Sequence, residues 1–146
     1  MYTDASWKVN NTYAGVIIFF NNGAVDWVSK LMKVKMSSPE AEIAAGCIGG
    51  KRMVYIRNLL ARLSKFPELA ITHVVDNSAM IPLTENVGAS AKTEHFMRWM
   101  HYLRGLVVKR FVYMHLEKTK YMYANPLTKV DTIEDFLRFR KFSMNE

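Results

Sequence analysis

The sequence predicts an α/β domain in which a mixed sheet carries helices on its faces. Three observations carry this prediction. The opening stretch reads as three strands joined by tight turns, a long capped helix follows, and two further strands then alternate with helices. The 146 residues are expected to form one domain over 1–146, large enough to bury a core.

The first strand runs from Met1 to about Lys8. Alternation puts Tyr2, Asp4 and Ser6 on one face and Thr3, Ala5 and Trp7 on the other. An acid inside such a strand is unusual; Asp4 is either functional or an edge charge that deters aggregation. After an Asn10-Asn11 turn, Thr12 to Phe20 is a second strand of β-branched and aromatic residues. Asn21-Asn22-Gly23 signals a hairpin, because its turn needs positive φ, and Ala24 to Lys30 is the third strand. A basic connector follows. Its Lys30, Lys33 and Lys35 fit a solvated loop and phosphate contacts equally well.

The stretch Ser37-Ser38-Pro39-Glu40-Ala41-Glu42 starts the long helix, expected over Pro39 to Ser64. Either Ser38 is the N-cap with Pro39 at the first position, or Ser37 and Glu40 make a capping box. Glu42 shares a helix face with Gly46, Gly49 and Met53. Interior glycines cost about 1 kcal/mol each relative to alanine. That cost is easier to understand if a backbone passes closely beneath the Glu42 carboxylate; the plainer reading is a solvated acid near the first turn. Ala41, Ala45, Ile48, Tyr55, Ile56, Leu59 and Leu63 are the expected apolar side.

Ala70 to Val75 is a nearly continuous apolar run, as in a strand buried on both faces. It ends in Asp76-Asn77-Ser78. Asp76 either sits at the rim where α/β sheets bind ligands or caps a short helix from Ser78 to Thr84. After a polar loop to Lys92, a helix from Thr93 to Val108 carries Phe96, Met100, Leu103 and Val107 inward, with His95 and His101 also on it. His101 is expected to be structural. Phe111 to Leu116 is the last strand, and a helix over Thr132 to Phe142, begun by Asp131 or Thr132, ends the pattern.

Half the residues are hydrophobic, which argues against a disordered chain. No run is long enough to span a membrane and no signal peptide is expected. Cys47, the single cysteine, has no disulfide partner within the chain and suits packing in a reducing compartment. The net charge of +7 favours a polyanionic partner, nucleic acid ahead of a membrane surface.

Several motifs, in order, resemble one family. They are Tyr2-Thr3-Asp4-Ala5-Ser6-Trp7, Gly15-Val16, Trp27-Val28-Ser29-Lys30, Ser37-Ser38-Pro39-Glu40-Ala41-Glu42, Asp76-Asn77-Ser78-Ala79, Thr93-Glu94-His95 and Ala124-Asn125-Pro126-Leu127-Thr128-Lys129. They are similar to the motifs of the RNase H domain of copia-type retrotransposon reverse transcriptases, across nearly the whole chain. The resemblance implies an RNase H-like fold with a five-stranded mixed sheet flanked by helices. It implies hydrolysis of the RNA strand of RNA/DNA hybrids, with four acids holding two Mg²⁺ ions that Mn²⁺ can replace. Asp4, Glu42 and Asp76 carry over as catalytic metal ligands, Glu42 rather than Glu40. The fourth position holds Asn125 where the family has aspartate, Glu94 replaces the usual lysine, and Met97 stands where an acid is common.

The chemistry agrees with the carry-over. Gathered carboxylates repel unless a cation neutralises them, hard oxygen donors suit Mg²⁺, and two ions about 3.5–4 Å apart can activate water and stabilise a leaving oxygen. Asn125 keeps aspartate's size and loses its charge, through natural change or deliberate substitution, so activity of this chain is expected to be weakened or lost. The alternative function is a non-catalytic hybrid-binding module on the same fold. Lys30, Lys33, Lys35, Asn77, Ser78, Lys92 and His95 are the expected substrate contacts, although His95 could equally tether the preceding loop. The expected partners are the hybrid and an adjacent polymerase domain in a polyprotein, with no membrane, in a cytoplasmic retroelement particle or the nucleus.

Overall fold

A computed structural model describes residues 1–7, 11–32, 37–63, 70–85, 96–130 and 132–145. Strands β1 (Tyr2–Trp7), β2 (Thr12–Phe20) and β3 (Gly23–Met32) form the expected antiparallel meander. The β2–β3 loop is Asn21-Asn22, with φ of 49° and 65°, since Phe20 already pairs with Gly23. Asparagine tolerates the left-handed region, so Gly23 is free to begin the strand. Strands β4 (Ile71–Val75) and β5 (Val112–Leu116) add in parallel beside β1, giving the order β3-β2-β1-β4-β5. Asp4 therefore sits on the central strand, which removes the edge-charge reading.

Helix α1 (Ser38–Leu63) packs across β1 and β2. Its N-cap is Ser37 rather than Ser38. The Ser37 carbonyl accepts from Ala41 N at 3.0 Å, and its N–H donates to the Glu40 carboxylate. That second bond is one half of a capping box and gives Glu40 a structural task. The helix is buried on every side over residues 40–47, then emerges. Tyr55, Leu59 and Leu63, expected inside, are 69%, 43% and 74% exposed. The cause is length: the 26 residues of α1 extend about 39 Å, against about 30 Å for the nine of β2.

The glycine face of α1 is buried against protein and offers no channel beneath Glu42. A Cβ at Gly49 would lie 2.8 Å from Thr3 Cγ2 and 2.9 Å from Met1 Sδ. One at Gly46 would meet His73, Leu103 and Met80 at 3.2 Å, and one at Gly50 would meet Leu106 at 2.8 Å. The missing side chains let α1 lie close to the sheet and to α3 (Met97–Val108). The core on this side is completed by α2 (Met80–Glu85) and by Phe96, Met100 and Leu103.

On the other face, Tyr2, Phe19, Tyr123 and Phe142 make an aromatic cluster, in which Tyr123 stacks on Phe142 with centroids 3.7 Å apart. Phe142 belongs to α4 (Ile133–Met144), capped by Thr132, whose hydroxyl accepts from Asp135 N at 3.1 Å. Short 3₁₀ turns at Thr119–Tyr121 and Asn125–Leu127 lead into it. The expected strand end at Lys8, the loop before Lys92, the helix start at Thr93, and Asp131 lie outside the described residues. Among the described residues no helix is long and apolar enough to cross a membrane.

Candidate functional site

Asp4 is contributed by the middle of β1, Glu42 by the first turns of α1, and Asp76 by the residue after β4. One carboxylate oxygen of each lies within 4.8 Å of the others. Asp4 and Glu42 are buried and Asp76 is half-buried. Burial pushes the Glu42 carboxyl up from 4.5 to about 8, and the neighbouring charges of Asp4 and Asp76 add to it. Burial also raises Asp4, with Asp76 adding to the rise, while the Thr128 hydroxyl and Lys129 oppose it. Without a counter-charge this group resists carrying three negative charges.

The plainer roles that the sequence left open fall to neighbouring residues. Asn77, not Asp76, shapes the turn into α2: its Oδ1 accepts from Ala79 N and its carbonyl from Met80 N, both at 3.0 Å. Glu40 completes the helix start, so Glu42 is left for the cluster.

Asn125 is buried in its 3₁₀ turn. Its Nδ2 donates to the Thr119 carbonyl at 3.0 Å, and its Oδ1 is buried with no hydrogen-bond partner among the described residues. The Thr119 oxygen accepts only, so the amide orientation is fixed by chemistry. Two residues that the sequence reading passed over stand beside the acids. The Thr128 hydroxyl bonds to the Asp4 carboxylate and lies 3.0 Å from the Asn125 carbonyl, and Lys129 is the cation felt by both Asp4 and Glu42. Lys129 and Asn125 also line a cavity of about 330 Å³ with Lys120, Tyr121 and Arg138.

Of the expected substrate contacts, Asn77 is half-buried in its turn and Ser78 is exposed beside Asp76. Lys30 is exposed on β3, in register with Ala14 and Ala5, so alternation turns it to the α1 face, opposite Asp4. Lys33, Lys35, Lys92 and His95 lie outside the described residues. His101 is exposed. The structural histidine is instead His73, fully buried, with Nε2 2.7 Å from Thr3 Oγ1 and its pKa lowered by burial to about 3.

No family model matches the chain. A curated relative, the retrovirus-related Pol polyprotein from transposon TNT 1-94 of Nicotiana tabacum, is 31% identical over 134 residues, which is 88% of this chain. The chain spans 10% of that polyprotein's length. Among solved structures, RNase H1 from the halophilic archaeon Halobacterium salinarum NRC-1 matches with a TM-score of 0.64 over 86% of this chain and 90% of that one, at 14% identity. LC11-RNase H1, solved in complex with an RNA/DNA hybrid, matches with a TM-score of 0.63 over the same shares, at 13% identity. At such identities the structural likeness speaks for the fold, and the polyprotein match supplies the kinship. A sequence that matches a retrotransposon Pol polyprotein over most of its length, folded as RNase H1 is, makes this chain an RNase H domain of the copia-type retrotransposon family.

Proposed function

We propose that this domain binds RNA/DNA hybrids and hydrolyses their RNA strand with two Mg²⁺ ions, for which Mn²⁺ can substitute, and that Asn125 weakens the second ion. The observation that carries the reading is the convergence of the Asp4, Glu42 and Asp76 carboxylates on an RNase H-like fold. The donor set fits a hard divalent cation: it is all oxygen and largely buried, and its Asp4 and Glu42 carboxyls resist ionisation until a positive charge joins them. Bound ions would supply an activated water and a stabilised leaving oxygen.

The chain's own residues do the rest. Asp4, Glu42 and Asp76 hold the cations, and the buried Asn125 Oδ1 offers a neutral oxygen. Lys129 limits the accumulated negative charge at the site. Lys30, Lys33, Lys35 and Lys92, with Lys120 beside the cavity, are the proposed phosphate contacts, and Asn77, Ser78 and His95 the proposed further contacts to substrate. A 2′-hydroxyl in the wide minor groove distinguishes hybrid from duplex DNA. The domain works next to a polymerase in a polyprotein, in a cytoplasmic retroelement particle or in the nucleus.

A second reading, hybrid binding without cleavage, is favoured by one contact. The Asn125 Nδ2 bond to the Thr119 carbonyl needs an amide; a carboxylate there would set acceptor against acceptor at 3.0 Å. A cleavage and binding assay on labelled hybrid separates the two readings. The unaltered chain should bind hybrid in preference to duplex DNA and cleave it slowly or not at all. Asn125→Asp should cleave at least about tenfold faster in Mg²⁺, and Asp76→Asn in that form should abolish cleavage, since the chemistry needs both ions. Efficient cleavage by the unaltered chain would remove the role given to Asn125. Binding without cleavage by Asn125→Asp would establish the second reading.

A further inference from the structure

The register of the sheet places Asp4 on β1, Gly15 on β2 and Ser29 on β3 in one lateral row. Directly paired residues point to the same face, so a side chain at position 15 would stand next to Asp4. Glycine leaves that place open, and the 124–128 segment fills it. A Cβ at Gly15 would lie 2.7 Å from Thr128 Cγ2, 2.8 Å from the Ala124 carbonyl oxygen and 3.0 Å from Leu127 Cβ. The far end of the row is fastened by the Ser29 hydroxyl, which donates to the Leu127 carbonyl at 2.6 Å. The near end is fastened by the Thr128 hydroxyl on Asp4.

We propose that Asp4, Gly15 and Ser29 form a seat across three strands that locks the 124–128 turn onto the sheet, and that Thr128, so held, is a positioning residue for Asp4. Each contact has its own task. Gly15 admits the turn's backbone, Ser29 sets its lateral position, and Thr128 fixes which way the Asp4 carboxylate faces. The same Thr128 hydroxyl lies 3.0 Å from the Asn125 carbonyl. The fourth position of the site and the first-strand acid are thus referred to one oxygen atom. This explains why Gly15, Ser29 and Thr128 fall within the sequence motifs although none of them is an acid. Groups that orient a metal-holding carboxylate typically change metal affinity 10–100-fold when removed.

The inference rests on the metal-binding reading of the three acids, and the test separates the two. Mn²⁺ affinity is measured by electron paramagnetic resonance of the free ion, and amide exchange of residues 125 and 127–129 is followed in the metal-free protein. Thr128→Val keeps the shape and loses the hydroxyl. It should weaken Mn²⁺ binding about tenfold and speed exchange across the turn. Thr128→Ser should retain both properties within about twofold of the unaltered chain. Ser29→Ala, which touches no acid, should speed exchange of the turn and weaken Mn²⁺ binding severalfold. Unchanged Mn²⁺ affinity in Thr128→Val overturns the proposal, as does a Thr128→Ser variant as impaired as Thr128→Val. If the unaltered chain takes up no Mn²⁺, the metal reading fails. The seat then stands or falls on exchange alone: unaltered exchange in Thr128→Val and Ser29→Ala refutes it.

Discussion

Replacing Glu42 by glutamine should stabilise the metal-free domain, and should do so more strongly as pH rises. Glu42 has its carboxyl raised from 4.5 to about 8 in the folded state, by burial first and by Asp4 and Asp76 second. The folded chain therefore holds this proton more tightly than the unfolded chain. The associated stability is complete below about pH 4.5, drains away as the unfolded carboxyl ionises, and is fully lost above about pH 8. A shift from 4.5 to about 8 corresponds to about 5 kcal/mol at 1.36 kcal/mol per unit. Asp4, whose carboxyl is also raised by burial, shares the titration with Glu42, so about half of that is the difference to expect between pH 5 and pH 8. At roughly 2–4 °C per kcal/mol, the melting temperature of the unaltered chain should fall about 5–10 °C relative to Glu42→Gln over that range. Circular dichroism melts in chelator at pH 5, 6.5 and 8 measure this. Millimolar Mg²⁺ should raise the melting temperature of the unaltered chain at pH 8 and have little effect on the variant. Parallel pH curves for the two proteins would refute the electrostatic reasoning.

Gly15→Ala forces a contact of 2.7 Å out toward an ordinary 3.4 Å, partly against backbone, so it should cost about 1–3 kcal/mol and lower the melting temperature; an unchanged or higher value would show that the turn yields freely. Glu40→Ala removes the carboxylate that accepts from Ser37 N and should cost about 0.5–2 kcal/mol while leaving Mn²⁺ affinity within about twofold. A large loss of Mn²⁺ in that variant would instead put Glu40 in the site.

The strands, the long helix and the C-terminal helix were legible because period and turn chemistry are local properties. The three acids were each legible only as ambiguous. Asp4 could have been an edge charge, Glu42 a solvated acid and Asp76 a cap, and the family resemblance chose among these readings. The structure shows why local reasoning stalled. The capping tasks exist, but Glu40 and Asn77 perform them one or two residues away. Burial of α1 beyond Met53 was misjudged because periodicity does not say where the sheet beneath a helix ends. Thr128 was missed because its partner is remote in sequence. Gly15 carried a usable signal, since a glycine inside a strand of β-formers marks close backbone approach. His73 was hidden in an apolar run of which the structure buries only His73 to Val75, with Ala70 and Thr72 exposed, and it was not matched to Thr3.

The bond between Thr128 and Asp4 joins residues 124 apart in sequence, so it is among the last contacts that the growing domain can make. The β1–β2–β3 hairpins are local and can form as soon as they leave the ribosome. The parallel pairing of β1 with β4 must wait for some seventy residues of intervening chain, as Tyr2 pairs with Val74. The turn that closes over Gly15 waits for fifty more, and loop closure at such separations slows folding. A nascent or cleaved chain ending before Thr128 would carry all three acids yet lack the element that fastens the first of them. Within this domain the acid site is therefore the last feature to be secured, and a chain cut before Thr128 would be a sheet whose first-strand carboxylate is unfastened.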